Sequence, residues 1–306
     1  MTEHVACMLC GEDNYKKYLE IDGWCLAYCR HCGLIYLNPR PNQVELMQLY
    51  GKEYFTDRHV QDDHSDNVVR IEIEKRVSSV QRIGAEVSKT GSWLDVGCGA
   101  GYLLAAARGM GWSVQGVELS SWAGEFAMHS LNVPIHIGTL DSFREEVGGS
   151  KFDIITLMSY LEHSPNPMED LYIVSDMLAD GGAAVIRIPN VSSFDRYWHG
   201  SRWWGWHLPF HQYHFSPRTI KRTLTAAALR LYKVEFDFWN PILHLKNALQ
   251  HNELRWDGPL EGRPPPQGGG SNTINTNPPW LKVALHRLAG KLLTGRDMIV
   301  YARKSD

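Results

Sequence analysis

The stretch LDVGCGAGYLL, residues 94–104, decides how this chain is read. Apolar residues enter it from Ser92 and a helical pattern leaves it from Tyr102, so it marks a turn from a buried strand into a helix. Gly97, Gly99 and Gly101 let the backbone approach a ligand closely, and the helix start offers unpaired N–H groups. A dinucleotide loop would read Gly-x-Gly-x-x-Gly, with a pyrophosphate facing the helix dipole. Here the third glycine comes one residue early and the loop carries an acid, Asp95. A carboxylate at that point repels phosphate and suits a ligand bearing an ammonium or sulfonium group. Glu118 stands 17 residues beyond Gly101, at the end of the next strand, where a carboxylate can accept both hydroxyls of a ribose. The plainer reading, glycines that only make a tight turn, leaves both acids unexplained.

Outward from this loop, strands are predicted at 92–96, 113–119, 135–137, 152–158 and 183–188, with helices at 102–110, 122–130, 143–147 and 167–178. That alternation is the signature of a parallel α/β sheet. Ser216-Pro217 reads as an N-cap followed by proline at the first helical position, opening a helix to about residue 229. Strands are expected at 232–238 and 298–302, and earlier helices at 43–56 and from Ser65 onward, with Val69, Ile73, Val77 and Val80 on one face. Residues 258–279 are rich in Pro, Gly and Asn and read as a flexible loop between helices at 241–251 and 280–293. The second of these lines up Leu281, Leu285, Leu288 and Leu292, a stripe that fits protein packing first and docking to a membrane surface second. The expected organisation is a cysteine module at 1–45, a helical cap or linker at 46–90, the core at 91–240, and an insertion with the final strand at 241–306.

No run of 18 apolar residues exists, which argues against a spanning helix. A net charge of -3 with no basic cluster argues against nucleic acid. The opening residues lack the pattern of a signal peptide, and a cytoplasmic address is expected. Five of the six cysteines lie in the first 32 residues. Cys7-x-x-Cys10 and Cys29-x-x-Cys32, separated by 18 residues, have the spacing of a four-thiolate zinc site, with unmetallated or redox-paired thiols as the alternative. Such a site has no open position, so its zinc is expected to be structural. Cys25 is read as an ordinary thiol, with ligand replacement as its other use.

LDVGCGAGYLL resembles motif I of class I S-adenosylmethionine-dependent methyltransferases, and GVELS at 116–120 resembles their motif II. FDIITL at 152–157 resembles the fourth-strand motif, followed by YLEH at 160–163, then by Gly181-Gly182 and IRIP at 186–189. The matches run in order over about residues 90–240. The resemblance implies an α/β fold with a Rossmann-like seven-stranded sheet whose last strand is antiparallel. It also implies that Gly97, Gly99 and Gly101 line the methionine part of S-adenosyl-L-methionine, with Asp95 supporting the loop. Glu118 would hold the ribose and Leu119 would pack on the adenine, with Thr139 and Leu140 at the adenine edge. Met158 and Ser159 would close the pocket near the sulfonium. With the cysteine module and Asn38-Pro39-Arg40-Pro41, the chain is similar to a bacterial group that includes sugar C-methyltransferases.

The segment WHGSRWWGWHLPFHQYHF, residues 198–215, follows the fifth strand, on the side where the donor would lie. It reads either as an apolar cover with hydrogen-bonded histidines or as an acceptor pocket. In the second case His211 or His214, with His163 after the fourth strand, supplies a general base. A helical turn would put His211 and His214 on one face, and an extended path would separate them. The expected acceptor is a small biosynthetic intermediate, a nucleotide-linked sugar among the candidates. The alternatives are RNA methylation and a non-catalytic scaffold that binds the donor.

Overall fold

The computed structural model describes residues 2–42, 45–46, 66–237 and 295–305. The helices expected at 241–251 and 280–293 and the loop at 258–279 lie outside the described residues. So does the helix expected at 43–56, except for the helical pair Glu45 and Leu46.

Five short strands come first: β1 (Thr2–Glu3), β2 (Tyr15–Ile21), β3 (Trp24–Cys29), β4 (Ile35–Leu37) and β5 (Arg40–Pro41). After α1 (Asp66–Gly84) the alternating core follows: β6 (Ser92–Val96), α2 (Tyr102–Gly109), β7 (Ser113–Glu118), α3 (Ser121–Leu131), β8 (Ile135–Ile137), α4 (Leu140–Val147), β9 (Phe152–Met158), α5 (Pro167–Met177) and β10 (Leu178–Pro189). Then come α6 (Phe194–His199), β11 (Tyr213–His214), α7 (Pro217–Ala226), β12 (Leu229–Asp237) and β13 (Asp297–Lys304).

The main sheet has the order β12-β13-β10-β9-β6-β7-β8. β13 runs antiparallel to both neighbours and the remaining pairs are parallel, the seven-stranded arrangement expected. Strand order reverses between β6 and β9, which opens a crevice at the carboxyl ends of those two strands. Both strands are buried over most of their length, as strands of a parallel sheet covered on two faces are. Trp93, the second residue of β6, is fully buried, edge-on to Trp112 at 5.2 Å, and its indole N–H donates to Thr156 Oγ1 at 3.0 Å.

Boundaries shift where side chains other than the apolar ones decide them. α4 begins at Leu140, three residues before the expected start, because Thr139 accepts from the Ser142 N–H and Ser142 returns the bond. β10 starts at Leu178, not 183, and its pairing with β9 skips at 179–182, where Gly181 takes a φ of 75°. α7 stops at Ala226, and Ala228 turns the chain into β12 with a φ of 56°.

The first strands form a four-stranded antiparallel sheet in the order β11-β4-β3-β2, so its edge strand comes from the core's own segment after β10. Tyr213 pairs with Tyr36 and His214 with Ile35. Arg40 ties the two parts together. Its guanidinium donates to the Pro165 carbonyl at 2.7 Å, Tyr213 Oη at 2.8 Å, Gln212 Oε1 at 3.2 Å and Glu3 Oε1 at 2.9 Å. Trp203, Trp206, Leu208 and Val191 close the joint by packing with Leu26, Ile35 and Leu37.

Candidate active site and metal centre

The glycine loop sits at the crevice. Gly97, Gly99 and Gly101 all take positive φ, at 69°, 53° and 75°, so the turn needs residues without a Cβ. The three differ in what surrounds them. A Cβ on Gly97 would lie 2.6 Å from the Tyr160 ring, and one on Gly101 would lie 2.8 Å from Ala127. A Cβ on Gly99 would meet nothing within 4 Å. Gly99 therefore faces open space while its N–H donates to Glu118 Oε2 at 2.8 Å. Glu118 Oε1 accepts from the Ser120 N–H at 2.9 Å, so two backbone donors fix this buried carboxylate at the tip of β7. Burial pushes its pKa up, and those N–H groups pull it back.

Asp95 lies beneath the loop. Its Oδ1 accepts from the Thr156 hydroxyl at 2.6 Å, and burial raises its pKa to about 7, with the hydroxyl and the charge of Glu118 as lesser influences. Leu119, half exposed, is an apolar side chain at the rim of the crevice. Thr139 is exposed and caps α4, whereas the Leu140 side chain is buried in the core. A ligand contact at 140 would thus fall to its main chain. Met158 is half-buried at the end of β9, and Ser159 follows with a φ of 55°.

Beyond Ser159 the chain turns through Tyr160, whose ring lies against Gly97 and whose hydroxyl donates to Asp170 at 3.1 Å. The Glu162 carbonyl then accepts from the N–H groups of Gln212 and Tyr213 at 2.8 and 3.3 Å, which draws the segment after β10 over the end of β9. This contact brings His163 and His211 together, their ring centroids 4.5 Å apart. His207, not singled out from the sequence, completes a group at 4.9 Å from His211 and 6.2 Å from His163. Its backbone is left-handed, with a φ of 33°.

His214 goes elsewhere. The segment is extended at β11, and His214 is buried edge-on to Trp206 at 4.9 Å, with a ring centroid 6.4 Å from His211. Burial lowers its pKa well below the usual range, and its Nε2 has no hydrogen-bond partner among the described residues. Trp203 and Trp206 are likewise buried in the joint with the first sheet, so the aromatic segment divides into tryptophan cover and a histidine group. Glu162 also escaped the sequence reading. Neither of its carboxyl oxygens has a hydrogen-bond partner among the described residues, and burial raises its pKa to about 8.

A family model described as a methyltransferase domain matches residues 70–234, just over half of the chain and all of the crevice described above. The chain belongs to this methyltransferase domain family. The domain is of the class I, S-adenosylmethionine-dependent kind, as the sheet order and the glycine loop require. Among solved structures, an S-adenosylmethionine-dependent methyltransferase from Archaeoglobus fulgidus superposes with a TM-score of 0.51 at 18% identity, covering 76% of this chain and 94% of that one. Ubiquinone biosynthesis O-methyltransferases of Shewanella pealeana and Paraburkholderia phytofirmans are 34% and 32% identical over 94 and 93 residues. The match takes in 29% of this chain, and it spans only 39% and 40% of the length of those relatives. Among the described residues, no helix of the methyltransferase domain or the first sheet is long and apolar enough to cross a membrane.

The cysteines ahead of the methyltransferase domain converge as their spacing suggests. The sulfurs of Cys7, Cys10, Cys29 and Cys32 all lie within 4.8 Å of one another, with Cys7–Cys32 at 3.4 Å and Cys10–Cys29 at 3.5 Å, and none is in a disulfide. Four thiolates about 2.3 Å from one tetrahedral ion stand roughly 3.8 Å apart, so the residues fit zinc. Burial pushes the Cys7 thiol up and Cys32 to about 11. At Cys29 burial is outweighed by the backbone N–H groups of Cys32 and His31, and its pKa falls to about 7. Cys25 lies outside the group, near the Leu26 carbonyl.

Proposed function

We propose that this domain transfers the methyl group of S-adenosylmethionine to a nucleophilic atom, an oxygen first among the candidates, of a small-molecule acceptor held at the histidine group. The observation that carries the reading is the open space over Gly99 beside the fixed carboxylate of Glu118. S-adenosylmethionine supplies an electrophilic methyl carbon on a sulfonium. Gly97, Gly99 and Gly101 would pass along its methionine part, and Glu118 has lone pairs left for the ribose hydroxyls after its two backbone bonds. Leu119, Thr139 and the main chain at Leu140 would flank the adenine, and Met158 would stand near the sulfonium. Asp95 acts from below, supporting the loop through Thr156.

His163 and His211, with ring centroids 4.5 Å apart beyond the end of β9, would take the acceptor proton. Alignment of two bound reactants can supply on the order of 7–11 kcal/mol, and proton removal by a positioned base adds roughly 10²–10⁴-fold. The ubiquinone-pathway relatives favour a hydroxyl acceptor of modest size, and a sugar hydroxyl or a carbon acid of a nucleotide-linked sugar has the same need for a base. The four-cysteine group is proposed to hold one structural zinc that secures β2–β4 against the core. The reading is tested by calorimetry with S-adenosylmethionine, followed by mass spectrometry of a small-molecule extract treated with labelled donor. Binding that is lost in Glu118→Ala and in Gly99→Val supports the donor site. Folded protein that fails to bind the donor refutes it.

A further inference from the structure

His163, His207 and His211 each offer a ring nitrogen, and the three nitrogens lie within 4.8 Å of one another. Among the described residues, the only other group of this kind is the four-cysteine cluster. The two differ in chemistry. Four thiolates saturate a tetrahedral ion, whereas three imidazoles leave a position open to an outside ligand. We propose that His163, His207 and His211 form a second metal site, taking a divalent transition-metal ion of the zinc, cobalt or nickel type with one coordination position facing the acceptor crevice.

Three observations converge on the site. The rings of each pair stand nearly perpendicular, at 83°, 86° and 86°, so no ring is stacked flat on another and blocks its nitrogens. His211 Nδ1 lies 2.8 Å from the Gly205 carbonyl, a bond that makes Nδ1 the donor and leaves Nε2 as the ring's basic nitrogen. Metal-ligating histidines generally carry such a bond on the nitrogen away from the ion. His207 is held at a φ of 33°, a conformation costly for any residue but glycine, and it points into the same group. Nitrogens about 2.0–2.1 Å from an ion stand roughly 3.3 Å apart, so the group closes on an ion by rotation of side chains. The site also explains why three imidazoles from two separate segments are gathered at the mouth of a crevice, where an apolar cover would serve better with carbon.

Imidazole prefers zinc, copper, nickel and cobalt to magnesium or calcium, which sets the class of ion. With an ion bound, its open position would take an acceptor oxygen and favour the ionised form, so the metal would replace a free imidazole as the means of removing the acceptor proton. That consequence rests on the methyl transfer proposed above, whereas the binding of the ion does not.

The test uses the full chain. Wild type, His207→Gln, the double variant His163→Gln with His207→Gln, and Cys29→Ser are dialysed against zinc buffered at low micromolar concentration and then analysed for metal. The expected counts are two ions per chain for wild type and one for each of the three variants. Cobalt loading distinguishes the two sites. The intense sulfur-to-cobalt absorption should persist in the histidine variants, while the weaker visible bands of the nitrogen-ligated ion disappear. One ion in wild type overturns the proposal, and so does a second ion that survives the histidine substitutions and hence binds elsewhere. Calorimetry with S-adenosylmethionine runs in parallel to show that the variants fold. A wild type that takes two ions but no donor would refute the methyl-transfer reading and leave the metal site standing.

Discussion

Asp95→Asn is expected to stabilise the protein, increasingly so as pH rises. The side chain is buried and its carboxyl titrates near 7, against an ordinary value of 3.8. An acid whose folded pKa is raised favours folding most when protonated. Stability is therefore fully present below pH 3.8 and falls as pH rises through the folded value of about 7. At 1.36 kcal/mol per pKa unit, the buried carboxyl costs the folded state roughly 4 kcal/mol at about pH 8, where it is ionised, and roughly 2 kcal/mol at about pH 5.5, where folding must protonate it. Asparagine keeps the oxygen that accepts from Thr156 at 2.6 Å and removes the charge. Its new amide N–H, if left unpaired, costs about 1–3 kcal/mol at every pH. The quantity free of that offset is the change with pH. The stability gap between Asp95→Asn and wild type should widen by roughly 2 kcal/mol from about pH 5.5 to about pH 8. Glu162 and Asp170, raised to about 8 and about 6 by burial, tilt both proteins alike and cancel in the difference. Urea titrations of the two proteins across this range measure the gap. A gap that stays constant or narrows would refute the idea that Asp95 is held at an energetic cost beneath the loop.

Arg40→Met removes the donor to the neutral acceptors of Pro165, Gln212 and Tyr213 and to the part-exposed Glu3, and should lower stability by about 2–4 kcal/mol, chiefly through the acceptors left without a donor. Denaturant titration checks this, and a loss below 1 kcal/mol, roughly the size of an ordinary surface pair, would deny the residue its tying role. His163→Ala should reduce turnover on the identified acceptor by roughly 10²–10⁴-fold with donor affinity kept. His214→Ala should act chiefly on stability, since it empties a buried space against Trp206. Equal effects of the two substitutions on turnover would count against this division. Gly97→Ala should disturb the turn of Tyr160 and His163 more than Gly99→Ala does, because only the first collides with the Tyr160 ring. Proton spectra of the histidine rings in the two variants would show this, and identical shifts would speak against it.

The parts of the fold that depend on local chemistry were legible from residue order. The glycine loop, the alternation of apolar strands with helices, the Ser216 cap and the paired Cys-x-x-Cys spacings each announce a structure within a few residues. What was not legible depends on partners far along the chain. β11 has two residues, too few to carry a periodic signal, and it exists because β4 offers an edge some 180 residues earlier. Arg40 sits in a segment whose prolines suggested only a break, and its partners stand at 165, 212 and 213. The histidines illustrate the limit within the site. His163 and His211 were candidates by position after strands four and five. His207 joins them through a left-handed residue that no spacing rule indicates, and His214 is lost to the core by the side-to-side alternation of an extended strand.

The pairing of β4 with β11 also bears on the order in which this chain can finish folding. Ile35 leaves the ribosome ahead of its partner His214, which follows 179 residues later. At a synthesis rate of 5–20 residues per second that interval is roughly 10–35 s. For that time β4 presents bare N–H and C=O groups, and the Arg40 guanidinium waits without Gln212 or Tyr213. An open sheet edge of this kind invites pairing with a neighbouring chain. An early arrest within the core would leave the same edge exposed for good. Residues 35–37 thus stay unpaired on that edge until the segment beyond β10 arrives, and slowed translation between them would lengthen the exposure in proportion.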